Sequence, residues 1–403
     1  MTDPDLLDTA LPIDRFRAHV LADPALQMRL SALYDLAAFI PAVIDAAGAA
    51  GIPLTADMVK AATRLDPLDL ARFGDPPVTG VNIPGKDWLP IGILPSGGEF
   101  VVDWAHFAGS PLTAPFFEEA LHQARALPLN RLIRYRTPLL TLAATVGEDT
   151  PVPDGFIFHL SRCGSTLVAQ MLASDSRHVV VSEASPIDTV VQLVESYRDV
   201  PLAERIALLR AIVGAFGGAG TGDARRFVVK LDSWHTLALP IFRIAFPDTP
   251  WVFLYREPVE ILVSHTRMAG IQTVPGALPH DPYGIANATE MPIDEYGARA
   301  LGRIGGAVLD HIGLGGGLLI NYADLPGAVE ESILPHFGIE PDARLRAAML
   351  EAAGRDAKAP ARSFVRDDEA KQQAADAKIR ALAAAHLDGN HLRLEALRLA
   401  ADG

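Results

Sequence analysis

The chain has 403 residues, 49% of them hydrophobic, and its 49 acidic and 35 basic side chains give a formal net charge of -14. Such a charge disfavours nucleic acid and acidic membrane surfaces as partners, and the single cysteine, Cys163, excludes an intrachain disulfide and a cysteine-rich metal site. The N-terminal residues lack the basic start and apolar core of a signal peptide, and no apolar run reaches membrane-spanning length. We therefore expect a cytoplasmic protein.

The first part of the chain predicts helices. Apolar residues recur every three or four positions between residues 13 and 64, Asp23-Pro24 is typical of a helix start, and Thr55 opens a further helix. The pattern Phe16, Asp23-Pro24, Leu26, Leu30, Ala47, Gly51-Ile52 and Thr55 resembles the small helical module of nitrogen-fixation-associated leader peptides. That resemblance implies recognition of peptides destined for modification. The alternative is an appendage for packing or oligomerisation.

Prolines and glycines punctuate the region that follows. Residues 91–94 and 99–104 predict a hairpin, residues 116–126 predict a helix, and residues 131–138 are predicted to continue into another helix. The polar, proline-bearing stretch 146–154 is the best candidate for a domain boundary. The predicted parts are a helical module (1–74), a small α+β connecting region (75–150) and an α/β domain with C-terminal helices (151–403).

From residue 155 onwards, apolar strands alternate with helical stretches. Strands are predicted at 156–160, 178–182, 227–231, 251–255 and 318–322, and terminal helices at 367–387 and 390–400. This alternation predicts an α/β fold with a parallel central sheet and helices on both faces. Because ligands of such sheets bind beyond the carboxyl ends of the strands, the residues just after each strand are the candidates for function.

The first strand runs into a small-residue turn, SRCGST at 161–166, and a helix follows directly. This arrangement aims backbone N–H groups and a helix N-terminus at a phosphate. The alternative is an ordinary turn with a Ser or Thr cap. Lys230 and Arg256 end the third and fourth strands, so that Arg162, Lys230 and Arg256 are predicted to converge on one edge of the sheet.

A second signal follows the fourth strand. Ser264 lies eight residues after Arg256, about two turns into the predicted helix. An arginine fork with a serine hydroxyl suits a phosphate monoester. The alternative is an arginine that pairs with Glu257 or Glu260 and a serine that faces solvent.

Together the two segments, LSRCGSTL at 160–167 and WVFLYREPVEILVS at 251–264, resemble the sulfotransferase superfamily, and INYADL at 320–325 is similar to its later Tyr-Glu-Asp-Leu segment. The resemblance covers residues 155–340. It implies a P-loop NTPase-like sulfotransferase fold that uses 3′-phosphoadenosine 5′-phosphosulfate (PAPS) as donor and a hydroxyl on a peptide or small metabolite as acceptor, without a metal. The implied donor-binding residues are Arg162, Cys163, Gly164, Ser165 and Thr166 for the phosphosulfate, and Arg256 and Ser264 for the 3′-phosphate.

The chain departs from the family pattern at three points. Ser161 replaces the usual proline and Cys163 the usual serine of the first loop, and the cytosolic-type glycine-rich adenine loop is missing near the C-terminus. The segment 362–364 is a candidate substitute for that loop.

Sulfuryl transfer needs a base to activate the acceptor and cations where charge develops. Glu183, after the second strand, resembles the base of protein-tyrosine members, although it also suits a helix cap. His159 and His235 are alternative bases. Lys230 and Arg162 are the candidates to stabilise the leaving phosphate or the sulfuryl oxygens.

Two other classes of function stay open. A nucleotide-dependent kinase or NTPase would need Gly-x-x-x-x-Gly-Lys-Ser/Thr, but the first glycine position holds His159 and the lysine position Ser165, and Asp232 is the only obvious carboxylate for magnesium. A non-catalytic peptide- or nucleotide-binding protein with a degenerate donor site would account for Ser161 and Cys163.

Overall fold

The N-terminal region is helical, as predicted. The computed structural model describes residues 11–66, 70, 78–80, 82–85, 87–219, 226–278, 281–356, 359–363 and 367–401. Asp23 caps the second helix by accepting the Leu26 N–H at 3.0 Å, and Thr55 caps the fourth through Met58 N–H at 3.3 Å. The helices are α1 (Pro12–Ala22), α2 (Pro24–Ser31), α3 (Leu36–Ala49) and α4 (Ala56–Ala62).

A small four-stranded sheet with three helices follows. The elements of this region are β1 (Val78–Thr79), β2 (Trp88–Ser96), β3 (Glu99–His106), α5 (Phe117–Ala126), α6 (Pro128–Leu132), β4 (Tyr135–Pro138) and α7 (Leu139–Ala143). The strand order in the sheet is β1-β4-β3-β2. The predicted hairpin is confirmed as β2–β3. The helix predicted over 131–138 is wrong beyond Leu132, because Tyr135–Pro138 pairs with β3 as a strand: Arg136 Nε contacts Asp103 Oδ1 at 2.5 Å, and Trp104 Nε1 donates to Thr137 Oγ1 at 2.9 Å.

The five predicted strands of the main sheet are confirmed to within one residue. All five pair in parallel, in the order β6-β7-β5-β8-β9. The elements of this part are β5 (Gly155–His159), α8 (Ser165–Ala173), β6 (His178–Ser182), α9 (Ser185–Ser196), α10 (Leu202–Gly214), β7 (Arg226–Lys230), α11 (Leu239–Ala245), β8 (Trp251–Tyr255), α12 (Pro258–Arg267), α13 (Ile293–His311), β9 (Gly317–Asn321), α14 (Leu334–His336) and α15 (Ala343–Ala353).

Helices cover both faces of this sheet. Along β5, Phe156 and Phe158 belong to one apolar cluster and Ile157 to another, because successive side chains of a strand point to opposite faces. The larger cluster also includes Phe39 and Trp104, so that one continuous core joins the N-terminal helices and the small sheet to the main sheet. The division into three domains stays a prediction.

The strand order places the candidate loops side by side. The chain leaves β5 towards β6 on one side of the sheet and leaves β8 towards β9 on the other. Neighbouring strands whose connections diverge leave a crevice at their carboxyl ends, where ligands of open α/β sheets bind. The turn at 161–166 and Arg256 therefore flank that crevice.

The chain ends in a hairpin and three helices. These are β10 (Arg355–Asp356), β11 (Ala359–Ser363), α16 (Asp368–Ala374), α17 (Ala377–His386) and α18 (Asp388–Ala401). The candidate adenine segment 362–364 lies outside the residues whose side chains are described. Among the described helices, none has the length and apolar character needed to cross a bilayer.

Candidate active site

A cleft of about 420 Å³ opens at the carboxyl edge of the main sheet. It is lined by the turn at 161–166 after β5, Glu183 after β6, Asp232 after β7 and Arg256 after β8. The predicted donor-binding residues that line it are Arg162, Cys163, Gly164, Ser165, Thr166 and Arg256. The two segments singled out in the sequence thus share one cleft.

The turn after β5 has an unusual backbone. Ser161, Arg162 and Gly164 adopt the left-handed conformation, with φ of 74°, 52° and 86°. The helix α8 begins at Ser165, and no described side chain caps it. Its N-terminus therefore presents backbone N–H groups and the positive end of the helix dipole to the cleft, which is the arrangement expected of an anion site.

The side chain of Cys163 turns away from the cleft. Its thiol is fully buried and donates to the Leu254 carbonyl oxygen of β8 at 3.1 Å. Burial raises the pKa of this thiol to about 11. Cys163 therefore acts as a core residue, and only its backbone belongs to the turn.

Ser161 and His159 fix the start of the turn. The Ser161 N–H donates to His159 Nδ1 at 3.1 Å, so that His159 Nε2 carries the ring proton, which points at the Leu231 carbonyl oxygen at 3.0 Å. Ser161 Oγ accepts from Gln272 Nε2 at 2.7 Å. Burial lowers the pKa of His159. Since both of its ring nitrogens are engaged, His159 is a structural group here.

Glu183 is held in an ion pair. Its carboxylate contacts the fully buried ammonium of Lys230 and lies 3.3 Å from His159 Nε2. Burial raises the pKa of Glu183, but Lys230 and His159 outweigh that effect and hold its pKa well below the ordinary range. The Lys230 ammonium also lies 5.0 Å from the centre of the Phe116 ring. Glu183 is therefore a strong partner for Lys230 and a weak base.

Asp232 has the opposite electrostatic environment. Its carboxylate lies 3.9 Å from His235 Nε2 and, among the described residues, forms no ion pair with a lysine or arginine. Burial, followed by the nearby carboxylates of Glu183 and Asp188, raises the pKa of Asp232 well above its ordinary value. Sequence reasoning considered Asp232 only as a magnesium ligand.

Among the residues that the structure describes, one group of side chains is close enough to hold a metal ion. The ligand atoms of Asp188, Asp232 and His235 lie within 4.8 Å of one another. In this structure Asp188 Oδ1 is satisfied by hydrogen bonds from Trp234 Nε1 at 2.7 Å and His235 Nε2 at 2.8 Å. His235 does not line the cleft.

Arg256 is buried at the end of β8 and surrounded by acidic groups. Its Nε contacts Glu260 Oε2 at 2.6 Å, and its guanidinium lies 3.9 Å from the centre of the Tyr322 ring. Burial lowers the pKa of Arg256, but the hydrogen bond to Glu260 and the other acidic contacts raise it overall. Ser264 does not line the cleft, because its hydroxyl donates to the Glu260 carbonyl oxygen at 2.7 Å.

Lys371 also lines the cleft, although no sequence pattern indicates it. It is 6% exposed and contacts Asp367 Oδ1 at 2.9 Å. Burial lowers the pKa of Lys371, and the positive charges of Arg256 and Arg162 lower it further against the opposing effect of Asp367. Arg162, Arg256 and Lys371 all line the same cleft.

No protein-family model and no curated protein matches the chain. Similar solved structures include the sulfotransferase domain of the Synechococcus PCC 7002 olefin synthase (16% identity, covering 53% of this chain and 81% of that one, TM-score 0.33). They also include a sulfotransferase from Mycobacterium avium (10%, 61% and 78%, TM-score 0.36) and the sulfotransferase domain from the curacin biosynthetic pathway (15%, 58% and 97%, TM-score 0.36). Similarities this low say nothing about donor, acceptor or catalytic residues.

We predict that Gly164→Ala disrupts the turn. A Cβ at this position would lie 2.6 Å from Leu325 Cδ1 and 2.9 Å from Tyr322 Cδ2, in a backbone conformation that L-residues rarely adopt. The free energy of unfolding should fall by about 2 kcal/mol or more, measured by urea denaturation. Gly276→Ala, which has the same sign of φ but open space at its Cβ, is the matched control. Equal losses in both variants would contradict the steric argument.

We also predict that Cys163 is unreactive in the native protein. With its thiol buried and its pKa raised to about 11, the thiolate needed for alkylation is scarce at pH 8. Mass spectrometry after iodoacetamide treatment should find Cys163 unmodified in buffer and modified in urea. Rapid modification in buffer would show that the thiol is accessible.

Proposed function

We propose that the protein is a PAPS-dependent sulfotransferase that transfers a sulfuryl group to a hydroxyl acceptor. The observation that carries this proposal is that two anion-binding elements from neighbouring strands, the turn at 161–166 and the buried Arg256, line the same cleft. A nucleotide with phosphate groups at both ends of its ribose requires such a pair. The motif resemblance of both segments to sulfotransferases supports the same conclusion.

We assign the two anion-binding elements to different phosphate groups of the donor. The uncapped N-terminus of α8 and Arg162 would hold the 5′-phosphosulfate, and Arg256 with Lys371 would hold the 3′-phosphate. Ser264 would join them only if its hydroxyl left the Glu260 carbonyl. When bound, the donor supplies an activated sulfuryl group.

The transfer also requires a proton acceptor and positive charge at the reacting atoms. We assign proton acceptance to Asp232, because Glu183 is already neutralised by Lys230 whereas Asp232 faces other carboxylates. As the acceptor oxygen bonds to sulfur and the bond between sulfur and the phosphate oxygen breaks, the acceptor proton passes to Asp232 and Arg162 stabilises the charge on the departing oxygen. Lys230, which is fully buried and does not line the cleft, contributes positive charge from outside the cleft lining. Glu183 then orients Lys230.

A kinase or NTPase is the second candidate function, since the Asp188–Asp232–His235 group would suit a divalent cation near the cleft. Calorimetry of nucleotide binding, together with an assay of sulfate transfer, distinguishes the sulfotransferase from the kinase or NTPase. The sulfotransferase proposal expects metal-independent binding of adenosine 3′,5′-bisphosphate and transfer of labelled sulfate from PAPS to a panel of hydroxyl-bearing peptides and small molecules. Binding of MgATP with no affinity for the bisphosphate would support the kinase. Bisphosphate binding without any transfer would support a binding protein.

We predict that Arg256→Lys weakens binding of adenosine 3′,5′-bisphosphate about tenfold to a hundredfold, because the forked, charge-assisted hydrogen bonds to a phosphate are lost while the charge stays. The Kd is measured by calorimetry. Arg267→Lys, at the exposed end of the helix α12 that follows Arg256, is the control and should bind as the wild type does. An unchanged Kd for Arg256→Lys would contradict the 3′-phosphate assignment.

We predict a pH dependence that identifies the base. A proton acceptor must be ionised to act. Because the pKa of Asp232 is raised, turnover should fall with decreasing pH, and this fall should begin at a pH well above the ordinary pKa of an aspartate. Asp232→Asn should lower kcat about a hundredfold or more and remove this dependence, while the Kd for adenosine 3′,5′-bisphosphate stays unchanged.

Glu183→Gln serves as the comparison. It should lower turnover by disturbing Lys230 and retain an acid limb of the pH profile, displaced to lower pH because the charge of Glu183 that helps to raise the pKa of Asp232 is removed. If Glu183 were the base, its lowered pKa would place the acid limb of the wild-type profile at much lower pH, and Glu183→Gln would have no acid limb at all.

A further inference from the structure

Two neighbouring carboxylates from the C-terminal part of the chain reach the Arg256 guanidinium. Arg256 Nη2 lies 3.1 Å from Asp367 Oδ1 and 2.5 Å from Asp368 Oδ1. Asp367 also contacts the Lys371 ammonium at 2.9 Å. The cations proposed to bind the 3′-phosphate therefore already have carboxylates as partners.

These two carboxylates differ in exposure and in position along the chain from the third partner of Arg256. Glu260 lies one turn after Arg256 on α12, and its side chain is 10% exposed. The side chains of Asp367 and Asp368 are 41% and 33% exposed, and they reach the arginine from more than a hundred residues away, at the start of the seven-residue helix α16. Glu260 is thus part of the site, whereas the aspartates can withdraw into solvent with their helix.

Charge balance makes withdrawal necessary. In this structure the cations Arg162, Arg256 and Lys371 are matched by the carboxylates Glu260, Asp367 and Asp368. A phosphate monoester brings a charge of about -1.5 to -2 at neutral pH. Placed beside the aspartates in a partly buried site, that charge would have no counter-charge and would be repelled by them.

We propose that Asp367 and Asp368 form a carboxylate plug, which occupies the anion site of Arg256 and must withdraw before a phosphate group binds there. The identity of that phosphate as the 3′-group of the donor rests on the proposed function. The plug sets the affinity for the donor, because part of the binding free energy is used to break the contacts of Arg256 and Lys371 with the aspartates.

The side chain of Asp367 does not cap the helix that follows it. Asp367 is the N-cap residue of α16, but its side chain makes no capping hydrogen bond. Asparagine has nearly the same size as aspartate. Asp367→Asn with Asp368→Asn therefore removes the charge without removing a cap.

The experiment compares the Asp367→Asn/Asp368→Asn double variant with the wild type by two readouts. Calorimetry gives the Kd for adenosine 3′,5′-bisphosphate, which we expect to fall about tenfold, since contacts between ionised groups contribute on this scale. Labelling with phenylglyoxal, followed by peptide mass spectrometry, measures access to Arg256 without any nucleotide. Glu369→Gln, on the exposed side of the same first turn, is the matched control and should behave as the wild type.

The outcomes separate the plug from the donor. Faster labelling of Arg256 with tighter nucleotide binding supports the plug. Faster labelling, with no nucleotide binding by any variant or by the wild type, supports the plug and contradicts the proposed donor. Unchanged labelling, or an equal or weaker affinity in the double variant, overturns the plug. If the double variant fails to give a cooperative thermal transition, Asp368→Asn alone is measured against the same criteria.

Discussion

The site depends on the cost of burying positive charge. The side chain of Arg256 is 4% exposed and that of Lys230 is fully buried, and an uncompensated ion in such a position would destabilise the fold by several kcal/mol. Each cation therefore needs an anion. In a chain with a net charge of -14, carboxylates are abundant, and they fill these positions: Glu183 at Lys230, and Glu260 with the C-terminal aspartates at Arg256.

The same constraint separates two carboxylates that lie in one cleft. The single ammonium group of Lys230 forms its ion pair with Glu183. Asp232 follows the same strand as Lys230, but burial, followed by the nearby carboxylates of Glu183 and Asp188, disfavours its negative charge and raises its pKa. Pairs of titratable groups whose pKa values are driven apart are typical of acid–base sites, because one group stays ionised while the other can exchange a proton near neutral pH. Glu183 differs from Asp232 because it contacts both Lys230 and His159.

Much of this architecture can be predicted from the sequence, because each strand of the main sheet contains at least three consecutive apolar residues. The turn at 161–166 and Arg256 could be located because both follow such strands. Three features could not be predicted from the sequence. The contact of Glu183 with Lys230 depends on β6 lying beside β7, which apolar runs do not specify. Lys371 lies on a helix distant in sequence, and the direction of the Ser264 hydroxyl is set by a backbone carbonyl one turn earlier.

Departures from a motif have to be judged by where the side chain points. In the turn after β5, the thiol of Cys163 lies in the core against β8, so that a serine or a cysteine there presents the same backbone to the cleft. The hydroxyl of Ser161 holds Gln272, a contact that proline could not make. Both substituted side chains thus make contacts inside the protein. The left-handed backbone of the turn and the uncapped start of α8 are retained. The main reason to consider the donor site degenerate therefore loses its force.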